Sequence, residues 1–318
     1  MKKIALLLIV MTLGASFAKA AERADSLRLQ SECKFSLRNG LAGAVASVAI
    51  NGALTEVLKN NIMETRPDGS GDHSFPSRHA SYAFTIASIC SHELYRFSPL
   101  WVSVSHTLAN AVAMQRVYSE RHYPGDVLAG ATLGIASTEL GYCISNWIFS
   151  GERCHERFHP GGNSRNISTS TKALITLGSH HRDGLAVGCG IESSVSLGYP
   201  VSECWGLGAS IGMRSQPVYL DGNYVGGLNG ASISADGYVC RQFGYWQADA
   251  SVALGVIYNF DRPCDASVSI APLLDLSASV YRCVARGFSI GPKIGVDITK
   301  RPSALCALTV SIVAKTEF

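Results

Sequence analysis

Three short clusters, KNNIMETRP at residues 59–67, PSRHA at 76–80 and QRVYSERHYPGD at 115–126, stand between long apolar runs and decide the reading of the N-terminal half. From about Leu41 to Phe149 the apolar pattern is helical, and it is broken at Arg66-Pro67, Phe75-Pro76, Ser98-Pro99 and Tyr123-Pro124. This predicts helices near 41–60, 77–96, 100–118 and 125–148, with the clusters at their ends. The longest uncharged stretch, Phe97 to Gln115, holds Ser103, Ser105, His106, Thr107 and Asn110. That is polar for a lipid-facing span, so the pattern favours soluble helices buried in a compact bundle.

Outward from the clusters, the first twenty residues carry Lys2-Lys3, an apolar run beginning at Ile4, and Ala18-Lys19-Ala20. Those are the parts of a secretory signal cleaved after Ala20, and residue 21 is alanine rather than a lipid-anchor cysteine. Export permits disulfides without requiring them, and ten cysteines with no C-x2-C pair suit small wall residues at least as well as bridges. A net charge of +3 with no basic block argues against a nucleic-acid partner. Residues 151–170, with Pro160-Gly161-Gly162-Asn163, read as a linker. Its His155, Glu156 and His159 sit on no rigid element, so no metal is expected there.

Beyond Ser170 the period changes to two. Val252, Leu254, Val256, Tyr258 and Phe260 alternate with small or polar residues, and Val268, Ile270, Leu274, Leu276 and Val280 repeat the pattern. Asp183-Gly184, Asp221-Gly222, Asn229-Gly230 and Asp236-Gly237 suit hairpin turns, the first beside His180-His181. The last strand puts Ala304, Cys306, Leu308, Val310, Ile312, Ala314, Thr316 and Phe318 on one face. An amphipathic final strand ending on phenylalanine resembles the C-terminal strand of bacterial outer-membrane barrels, and the span from residue 171 to 318 suits about eight antiparallel strands. A soluble β-sandwich shares this alternation.

The clusters supply three cations (Lys59, Arg66 and Arg116), two histidines (His79 and His122) and the carboxylate of Asp126. Fixed cations stabilise the charge that spreads over phosphoryl oxygens in a transition state. His122 and Asp126 are four apart, so the carboxylate can accept the Nδ1 proton and leave Nε2 free to attack phosphorus. Ser77 is placed to cap a helix whose N-terminus, with the hydroxyl, faces the anion. His79 then protonates the leaving group.

In order and content the clusters resemble the signature of the type-2 phosphatidic acid phosphatase and vanadium haloperoxidase superfamily: Lys-x6-Arg-Pro, Pro-Ser-Gly-His, Ser-Arg-x5-His-x3-Asp. Arg78 stands at the family's glycine and Gln115 at its serine. The resemblance implies an all-α phosphatase domain over 21–150, ahead of the linker and a β-barrel over 171–318. It implies a phosphomonoesterase without cofactor that forms a phosphohistidine on His122. His79 is the acid and Asp126 the orienter; Lys59, Arg66, Ser77, Arg78 and Arg116 hold phosphate. The expected substrate is a phosphorylated lipid, such as phosphatidate, phosphatidylglycerophosphate, prenyl diphosphate or lipid A, or a small phosphomonoester. The expected place is the outer membrane, facing the periplasm. Vanadate-dependent peroxidase chemistry would use the same residues, and a pore or binding barrel with an accessory helical domain is the reading of a different class.

Overall fold

The computed structural model describes residues 37–94, 99–149, 164–177, 185–261, 270–285, 288–301 and 303–317. The expected signal at 1–20, the His155/Glu156/His159 cluster and the turns at His180-His181 and Asp183-Gly184 lie outside them. Four helices come first: α1 (Leu37–Asn61), α2 (Arg78–Leu94), α3 (Pro99–Tyr118) and α4 (Pro124–Ile148). The prolines read as breaks start α3 and α4, where a missing N–H costs nothing. At the head of α4 the Asp126 carboxylate accepts the Tyr123 backbone N–H at 3.0 Å.

Helix α1 buries its polar face. In α1 the buried residues are Asn39, Gly40, Gly43, Ser47, Asn51, Thr55 and Lys59, whereas Leu41, Val45, Val48 and Val57 are exposed. In α4 the buried stripe includes Gly130, Gly134, Ser137, Gly141 and Ser145. A Cβ on Gly134 would sit 2.3 Å from the Ser81 carbonyl oxygen, and one on Gly130 would sit 2.5 Å from that of Ser77. Small residues therefore let the α2 and α4 backbones touch. Gly134→Val is expected to destabilise the bundle by about 3 kcal/mol, because the clash is with backbone that cannot swing away. Thermal unfolding followed at a helical signal checks this, and an unchanged midpoint would show that α2 and α4 do not approach this closely.

The strands are β1 (Asn166–Leu177), β2 (Leu185–Val187), β3 (Gly190–Pro200), β4 (Trp205–Leu220), β5 (Asn223–Phe243), β6 (Trp246–Asp261), β7 (Ile270–Ala285), β8 (Phe288–Arg301) and β9 (Ser303–Glu317). β2 and β3 are one interrupted strand, since both pair with β4. Each strand is antiparallel to its neighbour, and the circle closes where β9 pairs with β1. The result is a closed eight-stranded barrel, not a sandwich. Asp221-Gly222 forms the β4–β5 turn, with φ of 49° and 83°. Asn229-Gly230 and Asp236-Gly237, expected as turns, instead lie within β5. A register shift at Asn229/Gly230 absorbs the first pair, and a Cβ on Gly230 would come within 2.7 Å of the Tyr258 carbonyl oxygen.

Alternation sorts the barrel into a charged lumen and an apolar wall. Inside, Lys172 reaches Asp275 at 2.8 Å, Glu192 at 3.5 Å and Asp297 at 3.6 Å. Arg214 donates from Nε to Glu192 at 2.7 Å and also pairs with Asp297. Outside, Leu207, Ile211, Ile233, Leu254, Ile294 and others are exposed.

The bundle sits against the outer wall, with α3 along β9, β1, β3 and β4. Ser103 Oγ donates to Thr316 Oγ1 at 2.6 Å, Thr171 Oγ1 bonds to Asn110, and Asn110 Nδ2 reaches the Ser170 carbonyl at 3.4 Å. Ile191 points out of β3 into the helical core beside Phe84, Met114 and Val127. Ser103, His106 and Asn110 of the 97–115 stretch therefore face protein, with His106 meeting Ser91 Oγ at 3.0 Å, while the half-buried Ser105 and Thr107 bond to the Val102 and Ser103 carbonyls of their own helix. The opposite face of α3 carries Trp101, Val104, Leu108 and Val112, all exposed.

Candidate active site

All three clusters meet at one end of the bundle, where α1 and α3 finish and α2 and α4 begin. The cavity there has a volume of ≈ 520 Å³ and is lined by Lys59, Arg66, Arg78, His79, Arg116 and His122, all picked out in the sequence. It also takes in Glu56, Asn60, His73, Gln115, Ser119 and Arg121. Five of these side chains are lysine or arginine and one is a carboxylate, so the space selects an anion. Two helix N-termini, those of α2 and α4, point partial positive charge at the same end.

His122 is 5% exposed. Its Nδ1 lies 2.8 Å from the Ser74 carbonyl oxygen and 4.0 Å from Asp126 Oδ2. A carbonyl can only accept, so Nδ1 carries the proton and Nε2 keeps its lone pair. The direct Asp126 bond expected from the spacing is thus displaced by one step. Asp126 Oδ2 accepts from Ser74 Oγ at 2.6 Å and from the Tyr123 N–H, and the Asp126 carbonyl accepts the Ser77 N–H at 3.0 Å. Asp126 holds the residue that holds His122, and it is fully buried behind the cavity. Four-residue spacing placed the carboxylate correctly, but it could not show that the 74–77 segment passes between.

Ser77 is also buried behind the cavity and does not line it. Its hydroxyl accepts the Ala80 N–H at 3.5 Å as the cap of α2. Arg78 opens α2 without a positive φ, so the glycine position tolerates a side chain here. That side chain pairs with Glu56 across the mouth of the cavity. Gln115 Oε1 accepts from Arg116 Nε at 2.6 Å, so it orients a cation rather than meeting the anion itself. Lys59 Nζ donates to the His73 carbonyl at 2.6 Å, and His73 Nδ1 returns to the Lys59 carbonyl at 3.1 Å. Arg66 Nη1 and Arg121 Nη1 both donate to Ser70 Oγ, at 3.3 and 3.1 Å, and Arg121 also pairs with Asp68 at 3.2 Å. Arg121, one residue before His122, carried the one local signal that sequence reading passed over.

Burial first and then the charge of Lys59, with a lesser contribution from Arg66, push the His122 pKa down to about 4, and the Ser74 hydrogen bond opposes them in part. His79 is lowered too, by burial first and then by Arg116, Arg78, Arg66 and Lys59. Among the described residues no group of three or more His, Cys, Asp or Glu is arranged to hold a metal.

The PAP2 superfamily model matches residues 40–150, the helices that build this cavity. These residues form a PAP2 superfamily domain. The segment is 35% identical over 109 residues to the lipid A 1-phosphatase of Porphyromonas gingivalis, covering 34% of this chain and 24% of the relative. It is 41% identical over 103 residues to the bacitracin transport permease protein BcrC of Bacillus licheniformis, covering 30% and 48%. The chain thus spans less than half the length of either relative. The β half aligns with the N-terminal β-barrel domain of Pseudomonas aeruginosa OprF at 13% identity and a TM-score of 0.34, covering 48% of this chain and 98% of that one. Within the PAP2 domain, Arg78 and Gln115 change the surroundings of the anion pocket while the residues on either side of them keep their places in it.

Proposed function

We propose that the PAP2 domain hydrolyses a phosphomonoester carried by a membrane lipid, through a phosphohistidine on His122, in a chain held in the cell envelope by its barrel. The observation that carries this is the placement of His122: buried, with Nδ1–H engaged by the Ser74 carbonyl, in a cavity lined by five lysine or arginine side chains. Nε2 attacks phosphorus, a P–N bond forms, and the P–O bond to the leaving group breaks as His79 gives it a proton. Water, losing its proton to His79, then cleaves the P–N bond and frees phosphate. Lys59, Arg66 and Arg116 stabilise the equatorial oxygens, with Arg78 and Arg121 at the entrance. The same cations depress His79 in the empty site, and a bound phosphate dianion neutralises them, so the acid is charged when substrate is present.

Envelope placement is supported by the barrel's apolar outer wall and polar, charged lumen, and lipid specificity by the name of the Porphyromonas relative. A lumen crossed by Lys172, Arg214 and their carboxylates argues against a conducting pore. Phosphate release is to be screened over phosphatidate, phosphatidylglycerophosphate, prenyl diphosphate, lipid A and soluble phosphomonoesters. Release from none of them, or equal release by His122→Ala protein, would sink the proposal.

The pH dependence follows from the His122 and His79 pKa values. Protonated Nε2 cannot attack, so kcat/KM is expected to fall as pH drops through about 4, and to fall again on the alkaline side as the lowered His79 of the free enzyme loses its proton. Removing the Lys59 charge lets the imidazole hold a proton more easily. In Lys59→Met the acid limb should therefore move to higher pH, as well as the rate falling; a limb that stays in place would assign it to another group.

A further inference from the structure

We propose that the helical bundle lies in the same bilayer as the barrel, docked on its outer wall, with the phosphate pocket at the outward-facing surface. Given the phosphatase reading above, on which this rests, the substrate is then a phosphorylated lipid headgroup of the outward-facing leaflet.

Helix α1 is built for lipid. Its buried residues are small or polar and its Leu41, Val45, Val48 and Val57 face outward, the reverse of a helix packed in water. Along α1 no charged residue occurs from Asn39 to Thr55, between Arg38 at one end and Glu56 and Lys59 at the other. Along α3 none occurs before Arg116. Each uncharged stretch rises about 25 Å, close to a hydrocarbon core. The barrel wall gives a second sign. Its exposed surface is apolar, yet where α3 covers it Thr169, Thr171 and Thr316 are buried. The apolar wall is interrupted at the seat of the bundle and resumes on the bundle's far side in Trp101, Val104, Leu108 and Val112.

Aromatic residues mark the edge of this apolar surface. All four tryptophans of the chain lie toward the end away from the cavity: Trp101 in the first turn of α3, Trp147 near the end of α4, and Trp205 and Trp246 at the starts of β4 and β6. They are 56%, 79%, 45% and 38% exposed. Tryptophan toward one end in helices and barrel alike is the pattern of a membrane interface.

Direction follows from the barrel. Asn166 and Glu317, the paired ends of β1 and β9, lie at the tryptophan end, where Ser103 meets Thr316. The connections at that end are short: 201–204, 244–245 and 286–287. The other end has two tight connections, 221–222 and 302, but also the two longest intervals between strands, 178–184 and 262–269, as expected of the outward side of an outer-membrane barrel. The phosphate pocket is at that other end: Glu120, just before it, accepts from Tyr224 OH beside the Asp221-Gly222 turn at 3.0 Å, and Tyr118 stacks edge-on with Phe260 at 6.3 Å. In this placement the pocket faces outward rather than toward the periplasm.

Two measurements on the full chain test this, neither of which reads activity. An epitope inserted between Asp221 and Gly222 is expected to bind antibody on intact cells, and one inserted at Gly244 only after the outer membrane is permeabilised. The opposite labelling overturns the direction. In vesicles of brominated phosphatidylcholine, the Trp205→Phe/Trp246→Phe protein fluoresces only from the bundle. Quenching of Trp101 and Trp147 is expected; emission equal to that in unbrominated vesicles puts the bundle in water and overturns the shared bilayer. If both results hold but no lipid releases phosphate, the catalytic reading fails while the placement stands. Phosphate release together with the opposite labelling overturns the placement and leaves the catalytic reading intact.

Discussion

His122→Ala is expected to lower the rate of phosphate release by about 10⁴-fold or more, since loss of a covalent nucleophile removes the chemical route and not merely a contact. No neighbouring side chain can replace it: His79 lines the same cavity but is reserved for proton transfer. The substitution leaves the Ser74 carbonyl without its donor, so helical content and thermal midpoint must be compared with wild type. If the protein is folded and still releases phosphate within tenfold of wild type, the nucleophile is not His122. Trapping phosphate on the protein after brief exposure to labelled substrate, in wild type but not in His122→Ala, is the direct companion result. Asp126→Asn should act more mildly, since Ser74 Oγ can still donate to the amide oxygen, and its effect should appear in kcat with little change in KM.

The second large effect is expected far from the cavity. Arg214 is 1% exposed in the barrel lumen and pairs with both Glu192 and Asp297. Arg214→Ala leaves Glu192, Asp275 and Asp297 around the single ammonium of Lys172. Removing one partner of a buried ionic cluster costs about 3–5 kcal/mol. The urea midpoint of protein refolded in detergent micelles should fall accordingly. Neutralising the orphaned groups in Arg214→Met/Glu192→Gln/Asp297→Asn should recover most of the loss, since the cost comes from unpaired charge. An unchanged midpoint in Arg214→Ala would mean that water fills the lumen well enough to solvate the carboxylates, which would revive the channel reading.

Much of this was legible in the residues. Proline placed the helix starts within a few positions, because a missing N–H is harmless only there, and period-two alternation marked the strands. Six of the eight residues chosen for the site line one cavity because the clusters sit at helix ends that a four-helix bundle brings together. The rest depended on tertiary contacts that spacing does not encode. Ser77 and Asp126 proved to be props behind the cavity, since the segment from Ser74 to Ser77 intervenes. Glu56 and His73 entered the site from a helix flank and a loop that carry no motif. In the 97–115 stretch, spacing could not tell which side each polar residue takes: His106 meets Ser91, Asn110 meets Thr171 and Ser103 meets Thr316, while Trp101, Val104, Leu108 and Val112 are exposed on the other side.

The seam between β1 and β9 also sets the order in which the molecule can be completed. Thr316, the hydrogen-bond partner of Ser103, is the second-to-last residue of β9, so the seat of the bundle exists only when β9 has zipped against β1. A chain cut a few residues short loses the closure and the docking surface together. The helical half, although it precedes the barrel in the chain, is therefore seated after it, and every seated bundle belongs to a chain whose barrel has already closed.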